Sequence, residues 1–597
     1  MLAAAALAVA ARGVERRNTW YLASDQFAFL TFAGDLARGT VFHEPSLLEL
    51  LVPRPNPERT YDARVQTYLW REGKLYSRYP PGFPALLAAA GMVGGERAQH
   101  WLNPLLYLTI LALLGFLTWE LVRPNDRALA AGSAVAAMWL LLLLPTDVHL
   151  WGITVARDLP AHLLALLSLL AAVRLRWVAS GLALGLACTI RPDAVLYGVS
   201  LGALFRLEGA RLRDLVLGAA AFVLGALPLF AYNTVTQGHP LAFTQGGEFR
   251  DVLGALGTRG VALAQTISFG SGGAFQLANL WQTLPGNLTH LGRSLGWLVV
   301  LTALGLVWGV RVRRPLAAAF APYPVVAVLF YSCWSHPDAR YLAGAALCLL
   351  PLTAVGAAVT CRLVGDERRS HGWRVLALMA AAVVLGQGML PGWLRVPGIG
   401  LPERALAAAL AVSALLALAP RAARANRLAP LLPALALTGI ALFIVFTARG
   451  SRDPYQRAQI ERARHVLGAL IPPGSLVIAS ESLGRPVENL RHYLDANAFY
   501  LGEFPLFVVA REGAIGRSLV AGKRVFLLLR GEDRETLRSI RNNQARLIGR
   551  AHGRQLYDWF VDPGAAPFGA ALYEIEPSPF TLQLRDMLRE EQGRPER

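Results

Sequence analysis

"RDLPAHLLALLSLLAAVRLRWVASGLALGLACTIRPDA", Arg157 to Ala194, holds two apolar runs joined by a tight arginine turn and closed by Arg-Pro-Asp-Ala. Neither Leu159–Val173 nor Trp177–Ile190 contains an Asp, Glu, Lys or Arg, and Arg174 and Arg176 lie between them. Uncharged runs set back to back bury themselves in lipid or in one another. The second run and its successor, Ala194–Phe205, are each too short to cross a bilayer alone. With "RPDA" between them they read as a broken or re-entrant pair, which a bilayer tolerates only where the gap is buried or faces a cavity.

The same pattern recurs along the chain. Further runs are Met1–Ala11, Asn103–Val122, Ala128–Pro145, Leu215–Tyr232, Ser294–Val310, Leu316–Cys333 and Tyr341–Cys361, followed by Val375–Pro391, Arg404–Ala419 and Leu428–Phe446. Of 597 residues, 54% are hydrophobic and 16% charged, against about 25% charged in an average soluble chain. The expected fold class is a polytopic α-helical membrane protein of about 11–13 transmembrane segments. A net charge of +18 would suit nucleic acid, but it is spread over short loops rather than gathered on one basic face, so no nucleic-acid partner is expected. Lys74 and Lys523 are the only lysines. The four cysteines, Cys188, Cys333, Cys348 and Cys361, lie in or beside apolar runs without metal-ligand spacing and read as packing residues.

Arginine placement sets the expected sidedness. "RPNDR" (Arg123–Arg127), "RLRW", "RLEGARLRD" (Arg206–Asp214), "RVRR" (Arg311–Arg314), the loop Arg362–Arg374 and "RAARANR" (Arg421–Arg427) all fall on one side when the runs alternate. That side is expected to be cytoplasmic. The loop after residue 24, Asp147–Asp158, Asn233–Arg293, "SHPDAR" (Ser335–Arg340) and everything after Phe446 then face outward. Met1–Ala11 is short for a span and is followed by Arg12, Arg16 and Arg17 on the outer side; an upstream start or snorkelling accounts for them. The expected domains are 1–446, membrane-embedded with an outer loop over 24–80, and 447–597, an extracytoplasmic soluble α/β domain. In the second, Ser475–Ser480, Arg524–Arg530, Gln555–Phe560 and Ala570–Glu576 read as strands, and Pro454–Leu470 and Asp533–Gln544 as helices, with a frayed tail from Arg589.

The outer loops hold the residues that could carry chemistry. "SDQFAFLTFAGDLARG" reads as an interfacial helix, with Phe29, Phe32, Ala33, Leu36 and Ala37 on one face and Asp25, Gln26, Asp35 and Arg38 largely elsewhere. Asp25 either caps that helix or serves as a base. Arg157 and Asp158 stand just before a span, where an acid at a helix start is also an ordinary feature. "CWSHPDARYL" gathers His336, Asp338, Arg340 and Tyr341 at a span entrance, a cation-rich mouth suited to a phosphate. "SRYPPGFPALLA" sets Arg78 and Tyr79 before Pro80 and Pro81, which stop one element and start the next helix.

In their order these pieces resemble the GT-C superfamily of polytopic glycosyltransferases, and most of all the family of protein O-mannosyltransferases and lipid A aminoarabinose transferases. The carriers are "SDQ" and the following Ala33, Leu36, Arg38 and Gly39, then "YPPGFPALLA", "RDLPAHLLALLSLLA", "GLALGLACTIRPDA" and "DARYL". Each is short; the resemblance lies in their succession over Met1 to Phe446. Many members have Asp-Glu where this chain has Asp25-Gln26, and Lys where it has Tyr79, which leaves Arg78 as the candidate substitute.

The resemblance implies a sugar transferred from a polyprenyl-phosphate donor to an acceptor hydroxyl on a glycan, lipid or protein, at the outer face of the cell membrane and with inversion. Asp25 is then the general base, with Asp158 helping to offset charge on the sugar, and Arg340, Arg78 and Tyr79 meet the donor phosphate. Gln26, Arg157, His336, Asp338 and Tyr341 are further candidates. The scheme requires no metal, and a divalent ion is compatible with it. The rival reading is a transporter or flippase of lipid-linked sugars, using the break around Arg191 and Asp193.

Overall fold

The computed structural model describes residues 2–17, 24–42, 68–71, 74–77, 79–143, 147–241, 277–334, 339–365, 406–409, 411–412, 429–438, 464–465, 467–479, 486–500, 515–516, 518–530, 544–551 and 570–592. Arg78, His336, Asp338, the run Val375–Pro391 and the expected strand Gln555–Phe560 lie outside them.

The chain divides into two compact units. One comprises Met1–Asn18, Pro80–Phe83 and Trp101–Ser451; the other comprises Thr19–Tyr79, Pro84–His100 and Arg452–Arg597. In chain order the elements run α1 (Leu2–Arg17), α2 (Ser24–Ala37), the hairpin β1 (Tyr68–Arg71) and β2 (Lys74–Ser77), and α3 (Gly82–Val122). Then come α4 (Arg127–Leu143), α5 (Asp147–Ile153), α6 (Asp158–Val173), α7 (Trp177–Ile190), α8 (Gly198–Leu207) and α9 (Leu212–Gln237). They are followed by α10 (Leu280–Leu295), α11 (Val299–Val312), α12 (Arg314–Phe320), α13 (Pro322–Tyr331) and α14 (Ala339–Gly365). The C-terminal part holds β3 (Leu476–Ala479), α15 (Pro486–Leu494), β4 (Asn497–Tyr500), β5 (Val525–Arg530), β6 (Gln544–Ala551), β7 (Ala570–Glu576) and α16 (Pro579–Gln592).

Among the described residues, four helices are long and apolar enough to cross a membrane: Gly82–Val122, Leu212–Thr236, Arg314–Tyr331 and Arg340–Val364. The pair Leu280–Leu295 and Val299–Val312, bent by 92°, would make a fifth. The expected runs in 159–173 and 177–190 form helices of 16 and 14 residues. At 1.5 Å per residue they reach only about 24 and 21 Å, short of a bilayer core of about 30 Å. The expected break follows α7: Arg191 is extended, and Pro192–Tyr197 is a 3-10 turn leading into α8. The run expected over Leu316–Cys333 is met by the span Arg314–Tyr331, which bends between α12 and α13 at Ala321, where Pro322 supplies no N–H to a continuing helix.

Small residues let the helices of the first unit close on one another. A Cβ on Gly305 of α11 would strike the Leu352 carbonyl of α14, and one on Gly356 would strike the Leu301 carbonyl in return. The Thr302 and Thr353 hydroxyls bond across that crossing at 2.8 Å. Gly181 and Gly185 of α7 meet the α9 backbone at Gly218 and Phe222 in the same way. α14 is buried along most of its length.

In the second unit, a five-stranded mixed sheet runs β4-β3-β5-β7-β6, with β3 parallel to β4 and β5, and β7 antiparallel to β5 and β6. Three of its strands match sequence expectation, and β4 and β6 do not: "NAFY" is very short and "QARLIGRA" lacks strict alternation. The tail expected to fray from Arg589 is helical to Gln592.

Within α2, Phe29, Phe32 and Ala33 are buried as expected, but so are Phe27, Ala28 and Leu30, while Ala37 is exposed. This helix is therefore buried around much of its girth. Asp35, assigned to the polar side, is also buried, its charge met by Arg38 at 2.6 Å.

Candidate functional site

Two groups of polar side chains stand out, one in each unit. The first is built on the break that follows α7. Three residues bring the surrounding chain there. Gly82, at the start of α3, lies so close to Thr189 that a Cβ would strike its hydroxyl and backbone carbonyl; the Pro-Pro-Gly turn is thus seated on the residues just before Arg191. Asn103 donates from Nδ2 to the carbonyls of Trp151, Thr154 and Ala156 at 2.9, 2.8 and 2.6 Å, fixing the loop that delivers Arg157 and Asp158. Asn287 donates to the Ser332 hydroxyl at 3.0 Å, holding α10 to the end of α13 beside Tyr331.

At this break Arg191 spreads its fork over two acids. Its Nη1 donates to Asp158 Oδ1, its Nε to Asp193 Oδ1 at 2.9 Å, and its Nη2 to Asp193 Oδ2 at 2.6 Å and the Tyr331 hydroxyl at 3.0 Å. Tyr331 in turn donates to Asp193 Oδ2. Arg340, from the first turn of α14, donates to Asp158 Oδ2 at 3.3 Å. Asp158 is only 1% exposed and Arg191 6%, whereas the Arg340 side chain is 38% exposed. Buried ions survive when paired and hydrogen-bonded, so this cluster is a closed network with one arginine at its open edge. Tyr341 stacks on Tyr331 with centroids 5.0 Å apart, and Arg157 is buried one residue before α6.

One turn along α6 from Asp158, the network rests on aromatic packing. His162 Nδ1 lies 3.0 Å from the Tyr197 hydroxyl, which lies 3.4 Å from Cys348 Sγ. Tyr197 stacks on Tyr323 at 3.7 Å, and Trp151 stacks on His162 at 5.4 Å. Gly344 of α14 passes so close that a side chain there would strike His162 and the Tyr323 hydroxyl.

The second group is Asp25 and Tyr79. The Tyr79 hydroxyl donates to Asp25 Oδ1 at 2.5 Å. Tyr79 is itself held three ways: its N–H donates to the Ser77 hydroxyl at 3.1 Å, its ring meets Phe29 edge-on at 4.7 Å, and 5% of it is exposed. Asp25 and Gln26 are half-buried in the first turn of α2.

Sequence reasoning grouped Asp158 and Arg340 with the site but left Arg191 and Asp193 to the rival transport reading; it did not single out Tyr331, His162 or Tyr197. "RPDA" was the available signal. It also missed a trio in the second unit, Glu96, His100 and His492, whose ligand atoms all lie within 4.8 Å of one another. Glu96 and His100 are four residues apart on α3, a visible spacing; His492 is distant in sequence.

No protein-family model and no curated protein matches the chain. Among solved structures, it is similar to ArnT from Cupriavidus metallidurans bound to undecaprenyl phosphate, at 13% identity and a TM-score of 0.48, covering 96% of this chain and 97% of that one. The apo form of the same ArnT gives 14% identity and a TM-score of 0.49 over the same shares. The apo oligosaccharyltransferase of Archaeoglobus fulgidus gives 12% identity and a TM-score of 0.40, covering 88% of this chain and 69% of that one.

Proposed function

We propose that the chain is a membrane glycosyltransferase that moves a sugar from a polyprenyl-phosphate donor to an acceptor hydroxyl on the outer face of the membrane. The observation that carries this reading is the Arg340–Asp158–Arg191 arrangement at the ends of apolar helices. Asp158 fixes two guanidinium groups, and the more exposed of them is placed to exchange or share its carboxylate for a phosphate. A monophosphate leaving group is already a good anion, so it needs cations more than an acid.

Asp25 is the proposed base. Its carboxylate takes the acceptor hydroxyl proton as that oxygen forms a bond to the anomeric carbon; the carbon–oxygen bond to the lipid phosphate breaks, and its electron pair leaves with the phosphate. Attack from the face opposite the leaving group inverts the anomeric centre. Tyr79, whose hydroxyl donates to Asp25 Oδ1, orients the carboxylate. In this reading Asp158 acts by holding Arg340 and Arg191 rather than by taking a proton. Arg78, His336 and Asp338 remain candidates from the sequence for the donor and its surroundings.

Transport of the same lipid-linked sugars would use the break at Arg191 differently, by opening it. The closed network of Arg191 with Asp158, Asp193 and Tyr331 favours the fixed role. Turnover by purified protein in detergent, where donor and acceptor share one phase, tests the reading: product formation supports it, and vectorial movement without product overturns it.

A further inference from the structure

We propose that Glu96, His100 and His492 form a zinc site within the second unit. The local backbone builds the pair on α3. Gly94 and Gly95 break the helix, and Gly95 takes a φ of 63°, a conformation open to glycine. The helix restarts at once, so Glu96 and His100 fall four residues apart on one face. The third member, His492, comes from the last turn of α15, a short helix beside the parallel strands β3 and β4.

The geometry is that of an expanded metal site. His492 Nε2 lies 3.8 Å from Glu96 Oε1, and all three ligand atoms lie within 4.8 Å of one another. Ligands at about 2.1 Å from a tetrahedral ion stand roughly 3.4 Å apart, so closure asks each side chain to move by well under an ångström to about one. Glu96 Oε1 is buried and accepts no hydrogen bond among the described residues, although it is the oxygen turned toward His492. The other oxygen, Oε2, takes Arg464 at 3.2 Å. The carboxylate is thus already divided, with one oxygen anchored by a cation and one left for a ligand. Arg464 is about half exposed, so water screens its repulsion of a bound cation.

Two imidazoles and one carboxylate select a borderline divalent ion over magnesium or calcium, which favour all-oxygen shells. Three protein ligands leave a fourth position for water. None of the three residues belongs to the Asp25–Tyr79 pair or the Asp158 network. Because the ligands come from helices far apart in sequence, the ion would staple α15 to the start of the second half of α3, and its loss would loosen the fold around α15.

The test uses the full chain purified in detergent, loaded with zinc and stripped of loose metal on a chelating resin. Elemental analysis is expected to find about one zinc per chain, and added zinc to raise the thermal midpoint. Glu96→Gln and His492→Asn should each lower retained zinc at least about tenfold, while His492→Cys, which restores a zinc ligand, should keep it and guards against loss through misfolding. Cobalt in place of zinc should give the visible absorption of a four-coordinate ion in the wild type and in His492→Cys, and not in Glu96→Gln or His492→Asn. No retained zinc in the wild type, or equal retention in Glu96→Gln and His492→Asn, overturns the proposal.

Discussion

Asp158 and Arg191, 33 residues apart in sequence, form a buried ion pair at the point where α7 ends and the chain turns through Pro192–Tyr197. Each arrives by a different route. Asp158 opens α6 after a loop held by Asn103, and Arg191 closes α7 in an extended conformation beneath the Pro-Pro-Gly turn. The pair joins "RDLPAHLL" to "TIRPDA", the two ends of the stretch that identifies the fold in the sequence.

Breaking this pair is expected to cost more than removing it. Asp158→Ala leaves Arg191 buried with part of its fork unmatched, a loss of about 3–5 kcal/mol. A combined Asp158→Leu, Arg191→Met, Asp193→Asn variant, in which no acid of the cluster loses its cation, should regain much of the thermal stability while remaining inactive. Thermal unfolding in detergent, with turnover measured in parallel, checks both halves. A combined variant less stable than both Asp158→Ala and Arg191→Met contradicts the account.

Arg340 separates charge from geometry. Arg340→Lys keeps the cation but loses the planar fork, so donor KM should rise less than in Arg340→Ala. The Arg340 side chain is 38% exposed, and both variants should fold. Equal, unchanged donor KM in the two would remove Arg340 from the donor site.

The packing of the first unit predicts a sharp steric limit at Gly82. Gly82→Val places atoms against the Thr189 hydroxyl and carbonyl and should lower the thermal midpoint and turnover together, as overpacking of about 1–3 kcal/mol does. Gly292→Ala, at a helical position with nothing within 4 Å of its Cβ, is the matched control and should be near neutral.

At β7, hydrogen bonds from Arg524 and Arg546 hold the Glu574 carboxyl below the usual range, at 2.5 and 2.9 Å. A depressed native pKa makes this clamp stabilising above the unfolded value near 4.5, and the stabilisation is lost as pH falls through the native value. Glu574→Gln should therefore flatten the acid limb of the stability–pH curve by lowering stability slightly at neutral pH, only slightly because both arginines are about half exposed or more, and leave the acid end unchanged.

The proposed sidedness rests on arginine placement. Cysteines placed at Ser451 and Ser335, in a background with silent native thiols, should react with an impermeant reagent in whole cells. Protection of either position until the membrane is opened would reverse the proposed orientation.

Much of the helical plan is legible because charge is scarce in the runs and arginine marks their ends. Leu159–Val173 and Trp177–Ile190 emerge almost residue for residue as α6 and α7. What the sequence hides is pairing over distance. Nothing local to Tyr79 reveals that its hydroxyl meets Asp25 54 residues earlier. Nor does "RPDA" reveal that Arg191 reaches Tyr331, 140 residues away. Period-based reading also places Asp35 on a wet face, because it does not foresee that Arg38 will neutralise it in place.

Asp25 carries the central claim, and Asp25→Asn tests it most directly, because asparagine keeps the size and hydrogen-bonding capacity while removing the basicity. Purified protein is supplied with a polyprenyl-phosphate sugar, or with a nucleotide sugar and no lipid carrier, and product is followed by mass spectrometry. The wild type should transfer from the lipid-linked donor and ignore the nucleotide sugar, and Asp25→Asn should lower turnover about 10²–10⁴-fold at unchanged thermal stability. Near-normal turnover in Asp25→Asn, or efficient transfer from the nucleotide sugar, would contradict the account.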